Sequence, residues 1–201
     1  MKWFGLYLVA ALGVVPALVP AAEPPKPNIV VVLADDLGWT DAGFAGSRFY
    51  ETPNLDALAA GGARFTSFYA SSVGLPTRAS LWSGQYPSRT SVYAGDVGEP
   101  PVPAPETVPP PAEGTSLAAV LKSVGYATGF VGTWGPGPDG GAGPARHGFD
   151  EAVIVSPRHL GFEVVPSAEI PAGAHHVDYV TDRGLEFMDR HREKPFLLVL
   201  S

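Results

Sequence analysis

Asn28–Asp36 reads NIVVVLADD. An unbroken apolar run that is mostly β-branched and does not alternate suits a strand covered on both faces of a parallel sheet. The run ends in two adjacent carboxylates, Asp35 and Asp36. In open α/β sheets, sites form at the carboxyl ends of strands, so the pair stands in a favourable place. Two neighbouring carboxylates repel each other unless a cation or an arginine sits between them. Hard oxygen ligands of this kind suit Ca²⁺ or Mg²⁺. Taken alone, the pair is accounted for more simply by an Asx turn at a strand exit.

Outward from this strand, TPNLDALAAGG places Thr52 as N-cap, Pro53 at the first helical position and glycines at the end of a short helix. ARFTSFYA (63–70) reads as a strand, and LPTRASLWSG as a helix with Pro76 just inside its start and Gly84 at its end. Residues 99–112 (EPPVPAPETVPPPA) form an extended surface loop. TSLAAVLKSVG is a helix capped by Thr115 and stopped by Gly125, and YATGFVG is the strand after it. A glycine-rich loop (Thr133–Gly143) leads to HGFDEAVIV. The segment HVDYVTDRGLEFMDRHR is helical, with Val177, Val180, Leu185 and Met188 on one face, and KPFLLVLS is a final buried strand. Strands alternating with helices predict an α/β fold: a mostly parallel central sheet flanked by helices. A domain that stops on a core strand is expected to be incomplete at its C-terminus, because sheet neighbours and covering helices normally follow.

Composition narrows the function classes. The 201 residues are 45% hydrophobic and 16% charged, as in an ordinary globular chain. A net charge of -7 offers no basic patch for nucleic acid and mildly favours metal cations. No cysteine is present, which removes disulfides and any thiol nucleophile or ligand. Lys2, the apolar run that follows it and the small residues Ala21 and Ala22 have the pattern of a secretory signal peptide. Gly13, Pro16 and Pro20 interrupt that run, so a stable membrane span is not expected. The expected organisation is a signal peptide over 1–22, a linker over 23–27 and one α/β domain over 28–201. The protein is then exported, periplasmic or secreted.

Two further stretches carry possible chemistry. In ASSVGLPTRASLWSGQYPSR (Ala70–Arg89), the first turn of the helix points free N–H groups back toward residues 73–75. Such a terminus attracts anions, and Arg78 adds a bidentate grip on a tetrahedral oxyanion. An ordinary helix start with a solvated arginine explains the same residues. GTWGPG (Gly132–Gly137) follows a strand on the correct sheet edge, yet it holds no charged or imidazole group.

In order and spacing, these stretches resemble the N-terminal part of the sulfatases, in the alkaline-phosphatase superfamily, over nearly all of Pro27–Ser201. SLAAVLKSVGYATGFVGTW and HGFDEAVI continue the likeness. The resemblance implies that a Cys or Ser in a C/S-x-P-x-R motif becomes formylglycine, whose hydrate attacks the sulfur of a sulfate ester. It implies Ca²⁺ held by Asp35 and Asp36, with a sulfated or phosphorylated small molecule or glycan as ligand. The motif's Pro and Arg fall on Pro76 and Arg78, and its hydrophobic frame on Leu81 and Gly84. The departures gather at the chemistry. The nucleophile position is Gly74, which cannot become formylglycine. Gln85 replaces a basic residue, and the family's sulfate-contacting Lys and His are Thr133 and Gly135. The rest of the metal site lies beyond Ser201 in the family pattern.

Ser71 and Ser72 stand before the turn and Thr77 inside the helix, so none is placed to substitute. The expected protein is sulfatase-like and catalytically impaired. The alternatives are an ester hydrolase using another nucleophile or a metal-bound hydroxide, and a non-catalytic binding protein or truncated fragment.

Export predicts that protein secreted by a bacterial host has lost the segment ending at Ala21 or Ala22, which intact-mass measurement reads directly. Retention of Met1–Val19 in the membrane fraction would contradict it.

Overall fold

Among the described residues five strands share one sheet: β1 (Ile29–Val32), β2 (Ala127–Gly132), β3 (Glu151–Val155), β4 (Val164–Val165) and β5 (Phe196–Leu200). They run in the spatial order β1-β5-β2-β3-β4, all parallel except β4, which runs antiparallel to β3. This computed structural model describes residues 25–71, 73–90, 92, 115–134 and 142–201. The expected signal peptide, the start of the expected linker, the proline-rich stretch, Ser72 and most of the glycine-rich stretch, Gly135 included, lie outside the described residues. Among the described residues, no helix is long and apolar enough to cross a membrane.

The last strand in the sequence is the inner one. β5 enters between β1 and β2, pairing Val199 with both Val31 and Phe130. Phe196, Leu197, Leu198 and Val199 are accordingly buried, and their side chains feed the cores on both faces. Among the described residues six α-helices accompany the sheet: α1 (Pro53–Gly61), α2 (Gly74–Ser83), α3 (Pro87–Thr90), α4 (Leu117–Ser123), α5 (Ala142–Arg146) and α6 (His176–Arg190). On one face, α6 packs Tyr179, Val180 and Phe187 against Val131, Val155 and Leu198. Glu151 at the start of β3 fastens the far end of α6 by accepting from Arg190 (2.5 Å) and pairing with His191 (2.7 Å).

The opposite face is aromatic. Trp82 from α2 stacks on Trp134, with ring centroids 5.5 Å apart and planes 6° from parallel, and Phe130 and Phe149 meet both edge-on. Large rings bury much apolar area each, so this cluster fixes α2 firmly on the sheet.

Several local expectations change. Val30 and Val32 are 46% and 70% exposed, because β1 is an edge strand and α6 lies over the other strands. The strand expected over ARFTSFYA is absent. No described strand runs beside it, and an unpaired strand leaves its N–H and C=O groups without a ladder. Helix α4 is capped by Ser116 rather than Thr115: the Ser116 hydroxyl accepts from Ala119 N (3.1 Å) and donates to the His147 carbonyl (2.6 Å). Helix α2 begins at Gly74, two residues before Pro76. On α6, Val177 and Leu185 face solvent, and Tyr179, Gly184 and Phe187 take the inner stripe with Val180. Gly184 allows that rotation, since a Cβ there would lie 2.8 Å from Leu200 Cδ2.

His147 is buried beside Trp134, and its Nδ1 has no partner among the described residues. Burial lowers its pKa from the ordinary imidazole value, and His176 is lowered too, by burial and then by His159 and His175. A depressed folded-state pKa means that the unfolded chain takes up the proton first as pH falls. Stability is therefore fully present above the unfolded value and declines as pH drops below it toward the folded one. Chemical denaturation between about pH 7.5 and about pH 5.5 should show a falling midpoint, with a shallower fall in His147→Gln. A midpoint that rises on acidification would contradict the assignment.

Candidate functional site

The carboxyl ends of β1, β5 and β2 meet the N-terminus of α2. Val73 is extended (φ -140°, ψ 166°) and hands the chain to the helix at Gly74. Two neighbours of the first turn are committed locally: Pro76 is buried and has no N–H, and the Thr77 hydroxyl donates to the Val73 carbonyl (2.9 Å). At the other end Gly84 takes the left-handed conformation (φ 66°) and returns its N–H to Ser80 O (2.8 Å), closing the helix. With Trp82 locked in the aromatic cluster, both helix position and rotation are set.

That rotation turns Arg78 inward. The residue is 5% exposed, and a helical side chain leans toward the N-terminus, so its guanidinium returns to the start of α2. Nη2 donates to Asp35 Oδ2 (2.6 Å) and to Ser201 Oγ (2.8 Å). Nη1 lies 3.0 Å from where a Cβ on Gly74 would sit. Nε is buried with no partner among the described residues. The ion pair supplies the arginine that Asp35 needs beside a second carboxylate. Asp36 adopts φ 55°, a left-handed turn conformation that aspartate tolerates better than most residues.

The strand ends are laced together around this guanidinium. Leu33 N donates to Leu200 O (2.8 Å), Ser201 N to Val131 O (3.0 Å), and Thr133 N to Ser201 O (3.0 Å). Thr133 directs its hydroxyl at the Val155 carbonyl (3.3 Å), toward β3. Asp35, Gly74 and Arg78 are thus brought together, Thr133 is joined to them through Ser201, and Gly135 is outside the described residues. The sequence reading missed Ser201. Its one signal was its place directly after the apolar run FLLVL.

Chemically, this arrangement can grip an anion. A tetrahedral oxyanion at the α2 terminus would meet backbone N–H groups and the unpartnered side of a buried guanidinium. No side chain projects from position 74, and the Thr77 hydroxyl is turned back onto the Val73 carbonyl. A calcium ion takes six to eight oxygen ligands. Among the described residues no group of three acidic, His or Cys side chains could hold a metal. Asp35 and Asp36 alone do not make such a site.

Residues 27–201 match the sulfatase family, and the chain belongs to it. Arylsulfatase A of Bos taurus is 46% identical over 132 residues, 64% of this chain and 25% of that protein. N-acetylgalactosamine-6-sulfatase of Sus scrofa is 38% identical over 155 residues, 75% of this chain and 28% of that protein. The chain thus spans about a quarter of the length of the curated relatives it matches. Among solved structures, Ps i-CgsB in complex with k-i-k-neocarrahexaose superposes with a TM-score of 0.68 at 26% identity. That likeness covers 87% of this chain and 44% of the other.

Gly132 ends β2 with φ 130°, and a Cβ there would stand 1.8 Å from the Ser201 carbonyl oxygen. Gly132→Ala should therefore cost about 3 kcal/mol or more, through both backbone strain and the clash. Urea unfolding measures this, and a midpoint equal to that of the parent chain would refute the packing.

Proposed function

We propose that this chain is a sulfatase framework that binds a sulfated or phosphorylated group and is impaired in hydrolysing its ester. The observation that carries this reading is the missing Cβ at Gly74, 3.0 Å from Arg78 Nη1 at the pole of α2. Formylglycine maturation needs a β-carbon bearing sulfur or oxygen, and glycine has none. In this reading Arg78 grips the oxyanion, Thr133 and Gly135 occupy substrate-facing positions, and Asp35 and Asp36 contribute to a Ca²⁺ site only with ligands from outside the described residues. The relatives favour a sulfated sugar. One is named N-acetylgalactosamine-6-sulfatase, and a solved neighbour holds k-i-k-neocarrahexaose. Export with removal of 1–22 and a linker over 23–27 belong to the same proposal.

Magnitudes favour impairment over rescue. Loss of a nucleophile leaves what binding and electrostatics provide, roughly 10³–10⁴ over water in well-studied triad enzymes. Each missing oxyanion donor removes on the order of 10²–10³ in rate. Thr133 and Gly135 cannot supply the charge of the Lys and His that the family pattern places there.

Graded restoration tests the proposal, using a chain that carries the relatives' remaining length and co-expression with a formylglycine-generating enzyme. Gly74→Cys alone should recover little aryl sulfate hydrolysis, and Gly74→Cys with Thr133→Lys and Gly135→His at least about a hundredfold more. Full activity without any substitution would sink it.

A further inference from the structure

We infer that Ser201 is the positioning residue of Arg78: its hydroxyl holds Nη2 so that Nη1 and Nε are presented to an anion at the start of α2. This deepens the binding reading above and rests on it.

The division of labour follows from which nitrogens are occupied. Both hydrogens of Nη2 are taken, one by Asp35 Oδ2 (2.6 Å) and one by Ser201 Oγ (2.8 Å). Among the described residues Nε is buried without a partner, and Nη1 faces position 74, 3.0 Å from where a Cβ there would sit. A planar guanidinium anchored through one terminal nitrogen still swings about that anchor unless two acceptors fix its plane. Asp35 is the looser of the two, because its side chain is 47% exposed and follows a strand on the sheet edge. Ser201 is the rigid one. Its N–H and C=O are both tied to the β2 segment (Val131 O and Thr133 N, 3.0 Å each), which fixes its Cβ on the sheet.

The chemical type of each acceptor also matters. Asp35 offsets part of the charge that Arg78 carries into a buried setting, and water screens that carboxylate. A hydroxyl accepts a hydrogen bond while leaving the guanidinium its charge for a ligand. A second carboxylate at position 201 would hold the same nitrogen yet leave the pocket net negative, and it would repel sulfate.

Inorganic sulfate is the probe, used with the full chain at constant ionic strength, and the rise in unfolding midpoint gives its dissociation constant. The stabilisation that survives in Arg78→Ala is the general salting effect of sulfate and is subtracted. Ser201→Ala should weaken the remaining binding on the order of tenfold, as expected for losing a hydrogen bond to a charged group. Ser201→Thr, which keeps the hydroxyl, should restore it to within about threefold. Ser201→Asp should abolish it. A purely structural Ser201 would lower the sulfate-free midpoint in Ser201→Ala and leave the sulfate constant unchanged, which overturns the inference. Equal sulfate effects in the parent chain and Arg78→Ala would overturn the anion site itself, and the inference with it.

Discussion

Arg78 brings a full positive charge into the interior at the point where three strand ends and a helix start converge. A charge so placed costs several kcal/mol unless it is paired and hydrogen-bonded. Its partners come from sequence positions far away: Asp35 is 43 residues upstream and Ser201 is 123 downstream. Meeting that demand requires β1 and β5 to lie side by side in parallel, and α2 to be rotated with Arg78 inward. The Trp82–Trp134 stack secures that rotation from the other end of α2. Much of the remaining architecture follows from holding these pieces in register.

The same constraint explains why the shape of the site does not depend on a side chain at position 74. Gly74 contributes no contact to the aromatic cluster, and α2 is fixed by residues further along it. The helix is therefore held by side chains other than that of residue 74, and the guanidinium, the helix pole and the strand lacing do not depend on it. Gly132 shows the opposite case. Its lack of a Cβ is demanded by the Ser201 carbonyl, and the sheet depends on it.

The sequence made the parallel α/β class legible, because IVVV and FLLVL are apolar without alternation and helices separate the strands. It did not reveal where in the sheet each strand lies. An apolar run says that a strand is greasy, and whether both faces are covered depends on what packs there, as Val30 and Val32 show. The stripe on α6 was misread because small Gly184 and the two rings Tyr179 and Phe187 outcompete Val177 and Leu185. Their shapes fit the sheet, a property that residue-by-residue hydrophobicity does not carry. At the site, the G-x-P-x-R spacing pointed directly to Arg78 and Gly74. The acceptors around the guanidinium were harder to see, since hydrogen bonds between distant residues leave no local periodicity. For Asp35 the clue was the electrostatic need of two adjacent carboxylates, whereas Ser201 carried only its place at the end of a strand.

The account rests on binding retained and turnover lost in the same protein. Its most direct test is to titrate a sulfated sugar into the unsubstituted protein by calorimetry and to quantify inorganic sulfate in the same cell afterwards by ion chromatography. The account predicts binding heat that disappears in Arg78→Ala, with free sulfate no higher than in the protein-free control. Sulfate accumulating at an enzymatic rate would contradict it.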